Sequence, residues 1–187
     1  MKEVVPGVFM VDRTQGSNVY LAVGESAVLV DAGFPMDSKR VLRQLRKNDD
    51  GCPGLLVLTH YHIDHMGSAR VLKDAFGASV AAHEADADVI EGTSPYDRFK
   101  VDVLRTLYYR ALAPLFRYEN VMVETRLSDG DVIDSLGGLE VIHVPGHTAG
   151  SIMLFQEKRG HTLLGRHPEA RERSPAGAAA RVQPGSR

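Results

Sequence analysis

Within six residues, His60-Tyr61-His62-Ile63-Asp64-His65 sets three imidazoles beside one carboxylate. Neutral imidazole and carboxylate are both ligands for a borderline-soft dication, and crowding them is unfavourable unless something positive sits between them. The segment is therefore expected to be a metal-binding loop. If the chain turns into a helix near His62, then His62 and His65 are three positions apart on one face, while His60 stands just upstream. Four such groups from one loop cannot all reach a single tetrahedral ion. The spacing suits two neighbouring ions, one taking His60 and His62, the other Asp64 and His65, each completed from elsewhere in the chain.

A partner for the first ion is expected from Val141-Ile142-His143-Val144-Pro145-Gly146-His147-Thr148-Ala149-Gly150-Ser151, where His147 sits in a Pro-Gly turn leaving a strand. His143 lies inside the apolar strand and reads as a core or supporting residue. His83, followed by Glu84, Asp86 and Asp88, reads as a surface or helix-start residue, and His161 and His167 are assigned to no metal. Cys52 beside Pro53 and Gly54 reads as a turn residue. As the only cysteine, it excludes an internal disulfide framework and the paired-cysteine pattern of a structural zinc knuckle.

The elements that must hold these residues can be read from apolar patterning. Val8–Val11, Asn18–Val23 and Ala27–Asp31 predict a meander of antiparallel strands. Ala27–Val30 and Leu55–Leu58 are continuously apolar, as strands covered on both faces should be. The first runs into Asp31-Ala32-Gly33, the second into Thr59 and the histidine loop. Helices are predicted over Ser38–Lys47, Met66–Phe76 and Arg98–Arg117, where Tyr108, Tyr109, Leu112, Leu115 and Phe116 read as core packing. Further strands are predicted at Ser79–Ala82, Val121–Thr125, Leu139–Val144, Ile152–Gln156 and His161–Leu164. The alternation of strand and helix predicts an α/β (α+β) fold with helices lying against a sheet.

With 187 residues, 43% of them apolar, the chain has the size of one ordinary domain. Its net charge of −2 comes from mixed signs rather than blocks, which excludes the electrostatic footprint of a nucleic-acid or anionic-membrane binder. The amino terminus lacks the apolar core of a signal peptide, and no run approaches the roughly 20 apolar residues of a membrane span. A small-molecule substrate and a cytoplasmic location are expected; the oligomeric state is not written in the sequence.

Thr59–His65 and Pro145–Gly150 together resemble the metallo-β-lactamase superfamily, whose signature is a Thr-His-x-His-x-Asp-His loop followed downstream by a Pro-Gly-His-Thr-x-Gly turn. The resemblance runs from about Val4 to Gly165 and includes the Leu29–Gly33 strand end. It implies a four-layer αββα sandwich with the metals at one edge, Asp31 supporting the metal site from behind the ligands, and hydrolysis of an ester, thioester or lactone by a metal-bound hydroxide. The implied metal ligands are His60, His62, Asp64, His65 and His147, with Asp64 also catalytic. The expected ion is zinc, two in a complete site and one in an incomplete one, with iron or manganese compatible with the same donors.

The family pattern departs after the strand His161–Leu164. A Gly-Asp whose carboxylate bridges the metals, and a later histidine, are expected there; Gly165 is followed instead by Arg166. Residues 1–165 are therefore expected to form the domain, incomplete at its C-terminal part, and 166–187 a disordered tail. That tail holds five Arg, five Ala, three Pro and a single bulky aliphatic, Val182. A frameshift accounts for this composition: removing one cytosine from GGC-CGA-CAC-CCG, a coding of Gly165–Pro168, restores Gly-Asp-Thr. A downstream frame without Gly-Asp and a later histidine-bearing strand overturns that account. The competing functional expectation is a metal-binding remnant that lacks the bridging Asp and last His.

Overall fold

The computed structural model describes residues 1–47, 52–95 and 117–156, together with the backbone of strands at His161–Leu164 and Arg181–Val182. Strands β1 (Lys2–Val5), β2 (Val8–Met10), β3 (Tyr20–Val23) and β4 (Ala27–Val30) form the predicted antiparallel meander, extended by one strand at the amino end. From β4 the sheet turns parallel through β5 (Leu55–Leu58), β6 (Ser79–His83) and β7 (Thr125–Leu127), giving seven strands in chain order. A second sheet has the order β11 (His161–Leu164), β10 (Ile152–Gln156), β9 (Leu139–His143), β8 (Val132–Ile133), β12 (Arg181–Val182). Its pairs are antiparallel except β12 with β8.

Continuous apolarity in β4 and β5 has the predicted consequence, and β6 shares it. With side chains alternating across a strand, Leu29, Leu56, Leu58, Val80 and Ala82 face one core, where Val41 and Leu45 of α1 (Ser38–Leu45), Leu72 of α3 (Ala69–Phe76) and Ile90 of α4 (Glu84–Glu91) pack. Val28, Val30, Leu55, Val57 and Ala81 face the other core, against Ile133, Leu139, Val141, Ile152 and Leu154 of the second sheet. Helix layer, sheet and sheet, three layers of the expected αββα order, are thus stacked among the described residues. No helix among them is long and apolar enough to cross a membrane.

Some boundaries differ from the sequence pattern. The helix expected at Met66–Phe76 begins later, as α3, and Met66 instead ends a separate turn, α2 (Ile63–Met66). The break occurs because Ser68 turns to the preceding loop, its N–H donating to the Gly33 carbonyl at 3.2 Å and its hydroxyl to the Phe34 carbonyl at 2.5 Å. The strand expected at Val121–Thr125 lies at Thr125–Leu127; Val121 and Val123 are buried ahead of it. Helix α4 was given no range from the sequence beyond the reading of His83 as a surface or helix-start residue; Glu84 and Asp86 suit the positive end of a helix and the His83 side chain caps it, accepting the Ala85 N–H at 3.2 Å. The predicted helix at Arg98–Arg117, save its last residue, and the tail from Arg166, save the backbone of Arg181–Val182, lie outside the described residues.

Candidate metal centre

The strand order brings the chemistry to one edge. Asp31 follows β4, Thr59 and His60 follow β5, and Asp86 lies just past β6, all at the carboxyl ends of adjacent parallel strands, where open α/β sheets bind ligands. The β9–β10 turn carries His147 to the same edge from the second sheet, its path tied by the Ile152 N–H donating to the Thr59 carbonyl at 2.9 Å.

His60, His62 and His147 each offer a ring nitrogen, and these atoms lie within 4.8 Å of one another. His60 and His62 are buried and His147 is exposed, so the group opens outward on one side. His62 Nδ1 and His147 Nε2 stand 2.8 Å apart. Burial first, then the neighbouring His147, lowers the His62 pKa from its ordinary 6.5 to about 4, against an opposing pull from Asp64. A tetrahedral dication with nitrogens at about 2.0–2.1 Å separates them by about 3.3 Å, within the spread seen here, so the donor set fits such an ion.

Asp31 organises a second pair. It has φ 63°, a left-handed conformation that Asp tolerates better than most residues. That turn aims its buried carboxylate at Thr59 and His65. Oδ1 accepts the Thr59 N–H at 2.8 Å, the Thr59 hydroxyl lies 2.9 Å from both oxygens, and His65 Nδ1 lies 2.7 Å from Oδ2. These bonds assign the tautomers. His65 Nδ1–H donates to Asp31; the Thr59 hydroxyl also donates to Asp31, and its oxygen accepts from His60 Nδ1–H at 3.2 Å. Both rings are left with Nε2 as a lone-pair donor to a metal, the orientation an outer carboxylate enforces on ligand histidines. His65 Nε2 then faces Asp64 Oδ2 at 3.6 Å. Two lone-pair groups so placed repel unless a cation or a proton lies between them.

The α2 turn is what separates the two pairs. His62 precedes it and faces His147, whereas His65, one turn on, faces Asp31. The groups remain close, the His60 and His65 ring centroids being 3.9 Å apart. Asp64 is partly exposed, and its backbone carbonyl accepts the Ser17 hydroxyl. Gly16 lies against it so closely that an added Cβ would stand 2.8 Å from Asp64 Cβ and 2.5 Å from Phe34 Cε2.

Every residue predicted for the site therefore converges at this edge. His143 stacks on His83 with centroids 3.9 Å apart and donates Nε2–H to the Ala149 carbonyl at 2.8 Å. Neither belongs to the group of potential ligands. His83 does begin a helix, but it is buried rather than at the surface, and burial, then His143, lowers its pKa. Cys52 is exposed. Sequence reasoning gave no role to Thr59 or Asp86. Thr59 stood within a recognised motif, but Asp86 carried no signal, being one acid among several in an acidic stretch.

The model of the metallo-beta-lactamase superfamily matches residues 12–173. A human protein named acyl-coenzyme A thioesterase MBLAC2 is 31% identical over 159 residues, covering 76% of this chain and 55% of that protein. An uncharacterized protein of Mycobacterium tuberculosis is 35% identical over 136 residues, covering 70% and 54%, and the probable metallo-hydrolase YflN of Bacillus subtilis is 28% identical over 153 residues, covering 76% and 57%. The chain spans about half the length of the curated relatives it matches. Among solved structures, a Cronobacter sakazakii metallo-beta-lactamase mutant superposes with TM-score 0.68 at 24% identity, covering 86% of this chain and 61% of that one. The subclass B3 enzyme BJP-1 of Bradyrhizobium japonicum gives 0.65 at 21%, covering 86% and 58%. These two likenesses show the shared fold, and with the family model spanning most of the sequence and the human relative aligned over three quarters of it, the chain belongs to the metallo-beta-lactamase superfamily.

Proposed function

We propose that the chain acts as a zinc-dependent hydrolase of an ester, thioester or lactone, with His60, His62 and His147 holding one ion and Asp64 and His65 contributing to a second. The observation that carries this reading is the convergence of three imidazole nitrogens within 4.8 Å from loops 85 residues apart in sequence. A bound zinc ion supplies a water acidified toward pKa 7 and a Lewis acid for a carbonyl oxygen gaining negative charge.

The chain's own residues supply the rest. Asp31 and Thr59 keep His60 and His65 in the tautomer that presents Nε2. Burial of His60, His62 and His65 strengthens electrostatic interactions at this edge relative to water. Asp64 is partly exposed beside His65 Nε2, which supports the role of orienting a nucleophile and taking its proton. Among these, the thioester draws support from the human relative's name. A small-molecule substrate and a cytoplasmic location belong to the same reading, the location being testable by cell fractionation.

Metal analysis of the purified protein, followed by ester, thioester and lactone substrates with His62→Ala as the blank, tests it. Activity that survives the substitution unchanged rules the site out. A second reading, a one-metal remnant with little activity, is favoured by one observation: among the described residues, only His60, His62 and His147 assemble three potential ligand atoms. About two equivalents of zinc support the hydrolase and about one the remnant.

A further inference from the structure

Tyr61 lies between two of the proposed ligands and Thr148 directly follows the third, and one side chain holds both segments. Asp86 of α4 is fully buried. Its Oδ2 accepts the Tyr61 backbone N–H at 3.2 Å and the Thr148 hydroxyl at 2.7 Å, while Oδ1 accepts the Gly150 N–H at 2.7 Å. Thr148 is held further by Ser151, whose Oγ accepts its N–H at 3.0 Å and meets its hydroxyl at 2.8 Å. The approach is close enough to require glycine, since a Cβ on Gly150 would stand 2.7 Å from both Asp86 Cγ and the Asp86 backbone nitrogen.

A buried carboxylate is tolerated when donors satisfy its lone pairs. Here the donors come from both ligand loops, one following β5 of the first sheet and the other joining β9 to β10 of the second. Helix α4 thus braces the two sheets at the edge where the ligands meet. Besides the Ile152–Thr59 backbone bond and the His62–His147 contact, Asp86 joins these loops from α4, and metal–ligand distances must be right to within about 0.2 Å.

We propose that Asp86 is a positioning residue that sets the separation of His147 from the His60–His62 pair, acting through Tyr61, Thr148 and Gly150 without touching the ion. This rests on the metal-centre reading above. Asp86→Asn keeps the size and an acceptor for Gly150 but turns an amide N–H₂ toward donors. The test uses the full chain: zinc titration against a chromophoric chelator, the visible absorption of the cobalt-loaded protein, and near-ultraviolet circular dichroism of the metal-free form.

The expected result is a metal-free protein with wild-type dichroism, zinc affinity lowered about tenfold or more, and an altered cobalt spectrum, as when the support of metal ligands is disturbed. Thr148→Val, which removes the hydroxyl that bonds Asp86 and Ser151, lowers zinc affinity by about threefold or more. Asp86→Asn binding zinc within about twofold of wild type, with an unchanged cobalt spectrum, overturns the proposal. If Asp86→Asn does not fold, unchanged affinity in Thr148→Val overturns it and the expected loss upholds it. Failure of the wild-type protein to bind zinc is a separate outcome: it sinks the metal-centre reading and the proposal with it.

Discussion

Replacing Asp31 with Asn isolates the role of its carboxylate at the second pair. Asn adopts the left-handed conformation at least as readily as Asp, so the φ of 63° adds no new strain. Its amide oxygen can still accept the Thr59 N–H, but its N–H₂ then points at His65 Nδ1, which also carries a hydrogen. His65 must turn or adopt the other tautomer, moving its hydrogen to Nε2, where a ligand lone pair is needed. The lost bond is short, 2.7 Å, and Asp31 is only 1% exposed, so solvent does little to replace it. A hydrogen bond to a charged group is worth about 1.5–3 kcal/mol, which predicts a loss of about ten- to hundredfold in metal affinity. The loss should fall mainly on the ion proposed at Asp64 and His65, because Asp31 bonds His65 directly and reaches His60 only through Thr59. Stepwise zinc titration by calorimetry, beside the unaltered protein, reads both constants. Stepwise constants within about twofold of wild type would falsify the assignment of Asp31 as the group that fixes His65.

The metal-free protein should lose stability as pH falls. His62 has a folded pKa near 4 against an ordinary 6.5, so between those values the unfolded chain takes a proton that the folded one refuses. Its share of stability is complete above about pH 6.5 and is lost toward pH 4. In chelator-treated protein, urea unfolding across this window should show a slope that shrinks in His62→Gln; equal slopes count against it. Leu58→Ala, at a fully buried position one residue before Thr59, should cost about 2–5 kcal/mol by urea denaturation; a loss below about 1 kcal/mol refutes the packing described. Gly16→Ala should destabilise the fold and disturb Asp64, because its Cβ meets Phe34 and Asp64 inside van der Waals contact at φ +74°; an unchanged melting temperature argues against that approach. Cys52→Ser, at an exposed position, should leave metal content and melting unchanged, and loss of metal would reveal a thiol ligand.

Much of the metal centre was legible because its donors are chemically distinctive and locally clustered. His60, His62, Asp64, His65 and His147 were named from residue type and spacing and Asp31 from the family resemblance, and the doubly covered strands β4 and β5 were named from unbroken apolar runs whose faces the structure divides between two cores. Legibility failed where a residue's role depends on distant partners. The split between α2 and α3 follows from Ser68 bonding to Gly33 and Phe34, about thirty-five positions away, which no helical periodicity records.

Asp86 marks the same limit more sharply. Within Glu84–Glu91 it resembles Asp88, yet Asp88 meets Arg126 in an exposed ion pair while Asp86 is buried and bonded to Gly150, 64 residues on. The sequence alone determined which residues are available to a metal and that the histidine loop needs a partner from elsewhere in the chain, since side-chain chemistry and spacing are local properties. Tertiary structure decided how they meet: which imidazole nitrogen is presented, which pair each histidine joins, and which buried acid braces the loops. Hydrogen bonds between segments distant in the chain are set by the packing of the sheets and α4, and leave no periodic trace in the residues that make them.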